Sequence, residues 1–184
     1  SGLGDVSGGM TWATTFFEPL KNPAGSGFAP TFDGSPVRTS FYGNCLYLDD
    51  EDTRKSWRTA REHGHELGNH TVSHLHGAQF TAADWTEQIA PCTAALIKPE
   101  NDLGLGVDDV RGFRSPFLEY SSELFGALKS QGLWYDTSVQ SCWGAADDGK
   151  SCAWPYTLDQ SSPDGADLTA KFKAPAVAPT AGLW

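Results

Sequence analysis

The sequence is poor in basic residues and in long apolar runs. Its 184 residues include 13 Lys and Arg against 23 Asp and Glu, and the net charge of −10 argues against nucleic acid or an anionic membrane as the main partner. No apolar run is long enough to span a bilayer, and residues 1–7 lack the basic region and apolar core of a signal peptide. We therefore expect a mature or excised chain, without a membrane span, whose ligand is neutral or cationic.

The sequence also lacks the C-x-x-C spacing of zinc ribbons and redox centres. Its four cysteines, Cys45, Cys92, Cys142 and Cys152, permit three disulfide pairings. A local Cys142–Cys152 bridge is the first choice, because these two residues bracket a short loop with little else to hold it. Disulfides predict an extracellular or periplasmic location.

The chain length is about that of one domain, so we expect a single domain over residues 1–184. Aromatic residues make up 12% of the sequence and include seven Trp. Amphipathic rings on an acidic surface suit stacking on sugars or on a cationic polymer, whereas an aromatic core is the simpler use. We assign most Phe to the core and only a few Trp to a ligand groove.

Helix-like and strand-like segments alternate along most of the chain. Helical spacing and capping residues predict helices over 10–20, 52–62, 81–98 and 121–131, whereas β-branched and aromatic runs predict strands over 37–42, 110–114 and 133–136. The stretch that holds His70 and His74 is predicted to be a strand followed by a turn. Asp52 or Thr53 should cap the second helix. Thr81 with Asp84 should cap the third helix, which Pro91 should kink or break. This alternation predicts an α/β fold with mostly parallel strands, as a barrel or a doubly wound sheet.

Three chemically loaded stretches, 69–74, 114–117 and 136–138, lie where predicted strands end. Parallel sheets and barrels bind ligands at the carboxyl ends of their strands, so this is where we expect the site. Arg114 stands two residues before Pro116 and could orient a carboxylate there. An arginine on the surface beside a turn is the alternative.

Five histidines lie between residues 63 and 76. His70 and His74 are four residues apart, a spacing that on a helix would bring both rings within reach of one metal ion. Such a pair also arises by chance, so the spacing alone leaves incidental use open. We expect His63 and His65 at a helix end and turn, and His76 in solvent.

Five sequence blocks follow one another along the chain: Gly-His-Glu-Leu-Gly-Asn-His-Thr-Val-Ser-His at 64–74, Arg-Gly-Phe-Arg-Ser-Pro-Phe-Leu at 111–118, Tyr-Asp-Thr-Ser at 135–138, Trp-Pro-Tyr-Thr-Leu-Asp at 154–159 and Gly-Leu-Trp at 182–184. In content and order they resemble the polysaccharide deacetylases of carbohydrate esterase family 4. The first two blocks together are quite specific, and the pattern is most similar to the chitin deacetylase branch.

The resemblance implies a distorted (β/α) barrel with one divalent metal, usually Zn²⁺, held by two His and one Asp, while a second Asp acts as general base on a metal-bound water. His70 and His74 match the metal ligands. Arg114 matches the residue that holds the base carboxylate, and the backbone N–H of Phe117 matches an oxyanion donor. Trp154 matches an aromatic wall of the substrate groove, which Phe117 also lines.

Two departures from the family pattern concern the remaining catalytic groups. The family's paired aspartates stand before the first helix, whereas Asp5 is the only acid ahead of residue 10 and the similar stretch 31–36 carries Asp33 alone, in what reads as an inserted loop. The family's late histidine acid would follow Trp184, and the last His here is His76. We therefore expect a barrel that lacks its first and last strands in this chain.

The implied function is removal of acetyl groups from N-acetylglucosamine residues of chitin or a related polysaccharide by a monomer. The third metal ligand, the base and the acid are not identified in the sequence. A carbohydrate-binding module that keeps the fold and the aromatic groove without turnover is the alternative from another class. Xylan and peptidoglycan remain alternative substrates.

Overall fold

The computed structural model describes residues 6–17, 34–139, 157–162 and 175–184. Its helices and strands, in chain order, are α1 (Val6–Phe17), β1 (Ser40–Gly43), α2 (Glu51–Glu62), β2 (Glu66–Asn69), α3 (Ala82–Ile97), β3 (Gly112–Phe113), α4 (Leu124–Ser130) and β4 (Tyr135–Asp136). Short 3₁₀ turns occupy Cys45–Asp49, Pro99–Asn101, Val107–Asp109, Pro116–Leu118 and Leu158–Gln160.

The four strands form one parallel sheet in the order β1-β2-β3-β4. Pairing continues past the strand ends, because the Arg114 N–H donates to the Asn69 carbonyl at 3.1 Å and the Thr137 N–H to the Phe113 carbonyl at 2.9 Å. Trp184 runs beside β4, since its carbonyl accepts from the Asp136 N–H at 2.6 Å. The predicted α/β class with parallel strands is confirmed, and the carboxyl ends of the strands meet at one edge.

The core lies between this sheet and the helices. Helices α2, α3 and α4 each bury one apolar stripe, as a 3.6-residue period requires. The side chains buried from these helices and from the sheet include Trp57, Ala60, Leu67, Trp85, Ile89, Leu96, Phe113, Leu124, Phe125 and Leu128. Trp85 is fully buried, and its indole N–H donates to the Ser121 hydroxyl at 2.8 Å, so α3 is fixed against the segment that leads into α4.

The predicted caps of α2 and the predicted break in α3 are both wrong. The N-cap of α2 is Asp50, whose carboxylate accepts from the Thr53 N–H at 2.7 Å, so the helix begins before the predicted caps Asp52 and Thr53. Helix α3 runs through Pro91 without a break. Pro91 is exposed, so solvent can hydrate the carbonyl that lacks its helical donor, while Ile89 and Cys92 on either side are buried.

The other boundaries differ by a few residues. Helix α1 begins at Val6 rather than residue 10. Helix α4 covers only Leu124–Ser130 of the predicted 121–131. The capping box of Thr81 and Asp84 is confirmed, with each side chain bonded to the other residue's backbone N–H.

A disulfide joins Cys45, in the 3₁₀ turn after β1, to Cys92 in α3. It joins residues 47 apart in the sequence, and β2 and the turn that carries His70 and His74 lie between them. The bond restricts the unfolded chain and fixes the 3₁₀ turn at Cys45 against α3. The first-choice pair, Cys142 and Cys152, lies outside the described residues. Within the described ranges, no helix is long and apolar enough to cross a membrane.

Candidate functional site

The turn that carries the histidines is shaped by Asn69, the last residue of β2. Asn69 is fully buried, and its side-chain amide donates to the Ile89 carbonyl at 2.9 Å and to the Thr93 hydroxyl at 3.0 Å, both on α3. Its side-chain oxygen accepts from the Thr71 N–H at 2.9 Å. The strand end is thus anchored to the helix, and the chain turns sharply after it.

His70 and His74 converge in this turn, with ring centroids 4.9 Å apart and ring planes at 75°. The backbone between them is not helical, because Thr71 and His74 both have positive φ, at 66° and 52°. The Thr71 hydroxyl holds the turn by accepting from the His74 N–H at 3.1 Å. The rings therefore meet through a tight turn, not through the i,i+4 face of a helix.

The hydrogen bond made by His70 defines its tautomer. Nδ1 lies 2.6 Å from the Arg114 carbonyl oxygen, which can only accept, so Nδ1 carries the proton and Nε2 keeps a lone pair. Burial lowers the pKa of His70, against the Arg114 carbonyl bond that raises it. A neutral imidazole with a free Nε2 is the form that binds a metal ion.

The stretch after β3 forms the opposite wall of the site. Phe117 and Leu118 both have φ of 58°, which is rare for residues with side chains and marks a backbone held under strain. Among the residues that the structure describes, none accepts a hydrogen bond from the Phe117 N–H. This backbone donor is therefore available to a ligand.

The Phe117 ring packs between two histidines. Its centroid is 4.8 Å from that of His74, edge to face, and 3.9 Å from that of His76 in a parallel stack. His76 also lies 3.0 Å from the Glu119 carboxylate. His76 is 70% exposed, as the sequence predicted, but both contacts give it a fixed place that the sequence did not suggest.

Asp136 and Ser138, at the end of β4, lie behind the Arg114–Phe117 turn. The Asp136 carboxylate accepts from the Ser138 hydroxyl at 2.6 Å, the Ser138 N–H at 2.8 Å and the Val139 N–H at 3.3 Å. The sequence predicted that 136–138 follow a strand at the edge where the site lies, but it predicted no role for Asp136 or Ser138. The signals for them were the position at a strand end and the Tyr-Asp-Thr-Ser block at 135–138, and no local pattern pointed to Glu119.

The ionisation of Asp136 should be visible in the pH dependence of stability. Burial raises the pKa of Asp136 to about 6, against the Ser138 and Val139 hydrogen bonds and the Arg114 charge, which lower it. In the unfolded chain an aspartate titrates near pH ~4. Because the folded state disfavours the carboxylate, this group should make the free energy of unfolding fall as pH rises from about 4 to about 6.

Urea denaturation of the wild type and of Asp136→Asn across pH 4 to 7 measures this contribution, because the asparagine does not titrate. Between about pH 4 and pH 6, the slope of the free energy of unfolding against pH should be more negative in the wild type than in Asp136→Asn. A zero or positive difference, or an Asp136 carboxyl carbon that titrates below pH 4 by NMR, would contradict the expectation.

The predicted site is only partly assembled by the described residues. His70, His74, Arg114 and Phe117 come together at the carboxyl edge, whereas Trp154 lies outside the described ranges. Asp5 and Asp33, to which the sequence assigned no role in the site, lie outside them as well. No carboxylate of the described part lies within ion-pair distance of the Arg114 guanidinium. Nor do three or more His, Cys, Asp and Glu side chains converge to hold a metal ion in that part of the chain.

A model of the polysaccharide deacetylase family matches residues 28–135. Among curated proteins none matches the chain. The family match covers both site turns, at 69–74 and 114–118, and ends at the first residue of β4.

Several solved structures are similar in fold. A family 4 carbohydrate esterase from Streptomyces lividans, in complex with acetate, is 16% identical with a TM-score of 0.51, over 74% of this chain and 58% of that one. An acetyl xylan esterase from Clostridium thermocellum, in complex with a cobalt ion, is 22% identical with a TM-score of 0.48, over 69% and 50%. A pseudoenzyme of the same family from Bacillus anthracis is 13% identical with a TM-score of 0.46, over 53% and 32%.

The chain therefore spans between about a third and three-fifths of the length of these structures. The likeness to the Streptomyces protein supports the α/β fold predicted from the sequence blocks. The chitin branch of the prediction is not tested by these matches.

Proposed function

We propose that this chain, which belongs to the polysaccharide deacetylase family, forms the core of a metal-dependent hydrolase that removes acetyl groups from N-acetylglucosamine residues of chitin or a related polysaccharide. The observation that carries the proposal is the convergence of His70 and His74 beside the strained turn at Phe117. Family membership supports carbohydrate deacetylation, and the choice of chitin rests on the sequence pattern alone.

The donor set fits one divalent metal ion, for which we propose zinc. His70 and His74 supply two imidazoles, and His70 presents a free Nε2 lone pair because Nδ1 is occupied by the Arg114 carbonyl. We propose a carboxylate from outside the described ranges as the third protein ligand. When bound, such a metal supplies a Lewis acid that polarises the acetyl carbonyl and lowers the pKa of water towards ~7.

The other residues of the site act on the substrate and on the base. The Phe117 N–H, which bonds to no acceptor in the described part of the chain, would donate to the oxyanion that forms when the acetyl carbon is attacked. The Arg114 guanidinium would hold the carboxylate that takes the proton of the attacking water. The Phe117 ring and the exposed Leu75 beside the histidines offer an apolar surface to the sugar, and Trp154 would add a second wall.

We expect Phe117→Gly to separate the ring of this residue from its backbone N–H. Glycine adopts positive φ without strain, so the turn and its donor should persist while the aromatic contact is lost. KM for chitin oligomers should rise roughly 3- to 10-fold, equivalent to about 0.5–1.5 kcal/mol of aromatic contact, with kcat changed less.

Steady-state kinetics of Phe117→Gly and of a Phe117→Tyr control measure this separation. Phe117→Tyr keeps the ring and should keep KM. An unchanged KM in Phe117→Gly would contradict a substrate contact by the ring.

We further propose that the protein acts outside the cytoplasm. The Cys45–Cys92 disulfide supports this location, because such bonds persist in oxidising compartments. Polymeric polysaccharide substrates are also met there.

Acetate release by the full-length protein tests the function. After loading with zinc, the protein is incubated with N-acetylglucosamine oligomers, acetylated xylan and peptidoglycan fragments, each with and without a chelator. Chelator-sensitive release from the oligomers supports the proposal, and release from another polymer alone replaces the substrate. Binding of oligomers by calorimetry without release from any polymer would favour a non-catalytic carbohydrate-binding module.

A further inference from the structure

One peptide group, between Arg114 and Ser115, is hydrogen bonded at both ends to the candidate site and its support. Its carbonyl oxygen accepts from His70 Nδ1 at 2.6 Å. Its N–H donates to the Ser138 hydroxyl oxygen at 2.7 Å. Ser115 and Ser138 are each 1% exposed, so the bond between them is shielded from bulk water, whereas the bond from His70 is part-buried.

The direction of each bond follows from the chemistry of its groups. An N–H can only donate, so the Ser138 oxygen accepts from Ser115. The Ser138 hydroxyl proton is then free to point at the Asp136 carboxylate, 2.6 Å away. Asp136 accepts further from the Ser138 and Val139 backbone N–H groups, so the carboxylate is itself held in place.

The three bonds form a single chain in which every donor points away from His70 and towards Asp136. Aligned hydrogen bonds polarise one another, and a terminal carboxylate strengthens the alignment. This chain of hydrogen bonds links the ends of three neighbouring strands of the sheet, from β2 through β3 to β4. These hydrogen bonds hold the Arg114 carbonyl, which in turn holds the His70 ring by accepting from its Nδ1–H. Groups outside the ligand shell orient metal-binding imidazoles in the same way in other proteins.

We propose that Ser138 and Asp136 are positioning residues that, through the Arg114–Ser115 peptide, hold His70 in the Nδ1–H tautomer with Nε2 directed to the metal. This inference deepens the proposed function and rests on it for the metal. Neither residue contacts the metal or the substrate. Both act through the peptide that lies between them and the histidine.

Ser138→Ala removes the central link of the chain, and Thr137→Val is its matched control. Thr137 is the neighbouring residue, and its hydroxyl donates to the Phe113 carbonyl at 3.1 Å. This bond is not part of the hydrogen-bond chain from His70 to Asp136. Both variants thus lose one hydroxyl group at the same strand end, which makes two hydrogen bonds in Ser138 and one in Thr137. Zinc affinity should fall roughly 10- to 100-fold in Ser138→Ala, the usual cost of losing an outer partner of a metal ligand, and stay within about twofold in Thr137→Val.

A second readout uses the metal-free protein. Nitrogen-15 NMR of the His70 ring should show a protonated Nδ1 in the wild type and in Thr137→Val, and a mixture of tautomers in Ser138→Ala. Ser138→Thr, which keeps the hydroxyl, should restore both the tautomer and the affinity. Should Ser138→Ala fail to fold, two measurements carry the test. They are the comparison of Ser138→Thr with the wild type, and the nitrogen-15 spectrum of His70 in the wild type.

The inference is overturned if Ser138→Ala keeps zinc affinity within twofold and keeps His70 in the Nδ1–H form. It is also overturned if the wild-type His70 is protonated on Nε2. A wild type that binds no zinc but has the predicted tautomer would instead count against the proposed function. The two failures are therefore distinguishable.

Discussion

Replacement of His70 or His74 by alanine should weaken zinc binding and lower acetate release together. Each substitution deletes one of the two imidazoles that converge at the strand ends. Loss of a mere outer partner costs about 10- to 100-fold in metal affinity or activity, so loss of a ligand should cost more than ~100-fold in both. Calorimetric titration with zinc and acetate release from N-acetylglucosamine oligomers measure the two losses.

His63→Ala is the matched control for these variants. His63 is the C-cap of α2, at the opposite end of β2 from the site, so its loss should leave zinc affinity and turnover unchanged. Should His70→Ala or His74→Ala retain full activity, that residue is not a metal ligand. Equal losses in all three variants would point to a general effect of removing a histidine and not to the site.

The second large effect should come from Trp85→Ala in the core. Trp85 is fully buried, meets Phe80 and Phe113 edge to face with centroids 5.0 and 6.1 Å away, and donates to Ser121. Truncation leaves a cavity and removes the hydrogen bond to the Ser121 hydroxyl, which keeps its own bond to the Phe80 carbonyl, so the free energy of unfolding should fall by about 3–5 kcal/mol. Urea denaturation followed by circular dichroism measures it.

Trp134→Ala makes the same truncation at the surface. Trp134 is 53% exposed, and its ring faces the Arg111 guanidinium at 4.3 Å, a contact worth about 0.5–1 kcal/mol at such sites. The two variants should therefore differ by at least ~2 kcal/mol. Similar losses in both would mean that Trp85 does not lie in the core between α3 and the sheet.

The sequence predicts features of this fold that depend on local chemistry. The Thr81 capping box was found because a capping residue and an acid three positions later satisfy each other within one turn. The meeting of His70 with Arg114 was predicted because parallel strands bring their carboxyl ends to one edge. Both rules need only spacing and strand direction.

Features that depend on non-local contacts were not predictable. Local sequence favoured Asp52 or Thr53 as the cap of α2, and the choice of Asp50 is made by where the preceding turn places the chain. The hydrogen bonds that run from His70 to Asp136 join residues at the ends of three strands and pass through a backbone peptide, which has no sequence signature. The stack of His76 on Phe117 depends on a positive φ at a residue type that rarely adopts one.

X-ray absorption at the zinc edge of the zinc-loaded, full-length protein tests the central claim most directly. The account predicts two imidazole nitrogens at about 2.0–2.1 Å from the metal, with the remaining ligands oxygen, and loss of one imidazole in His70→Ala and in His74→Ala. A spectrum without imidazole ligands, or one that both variants leave unchanged, would contradict the claim that these two histidines hold the metal.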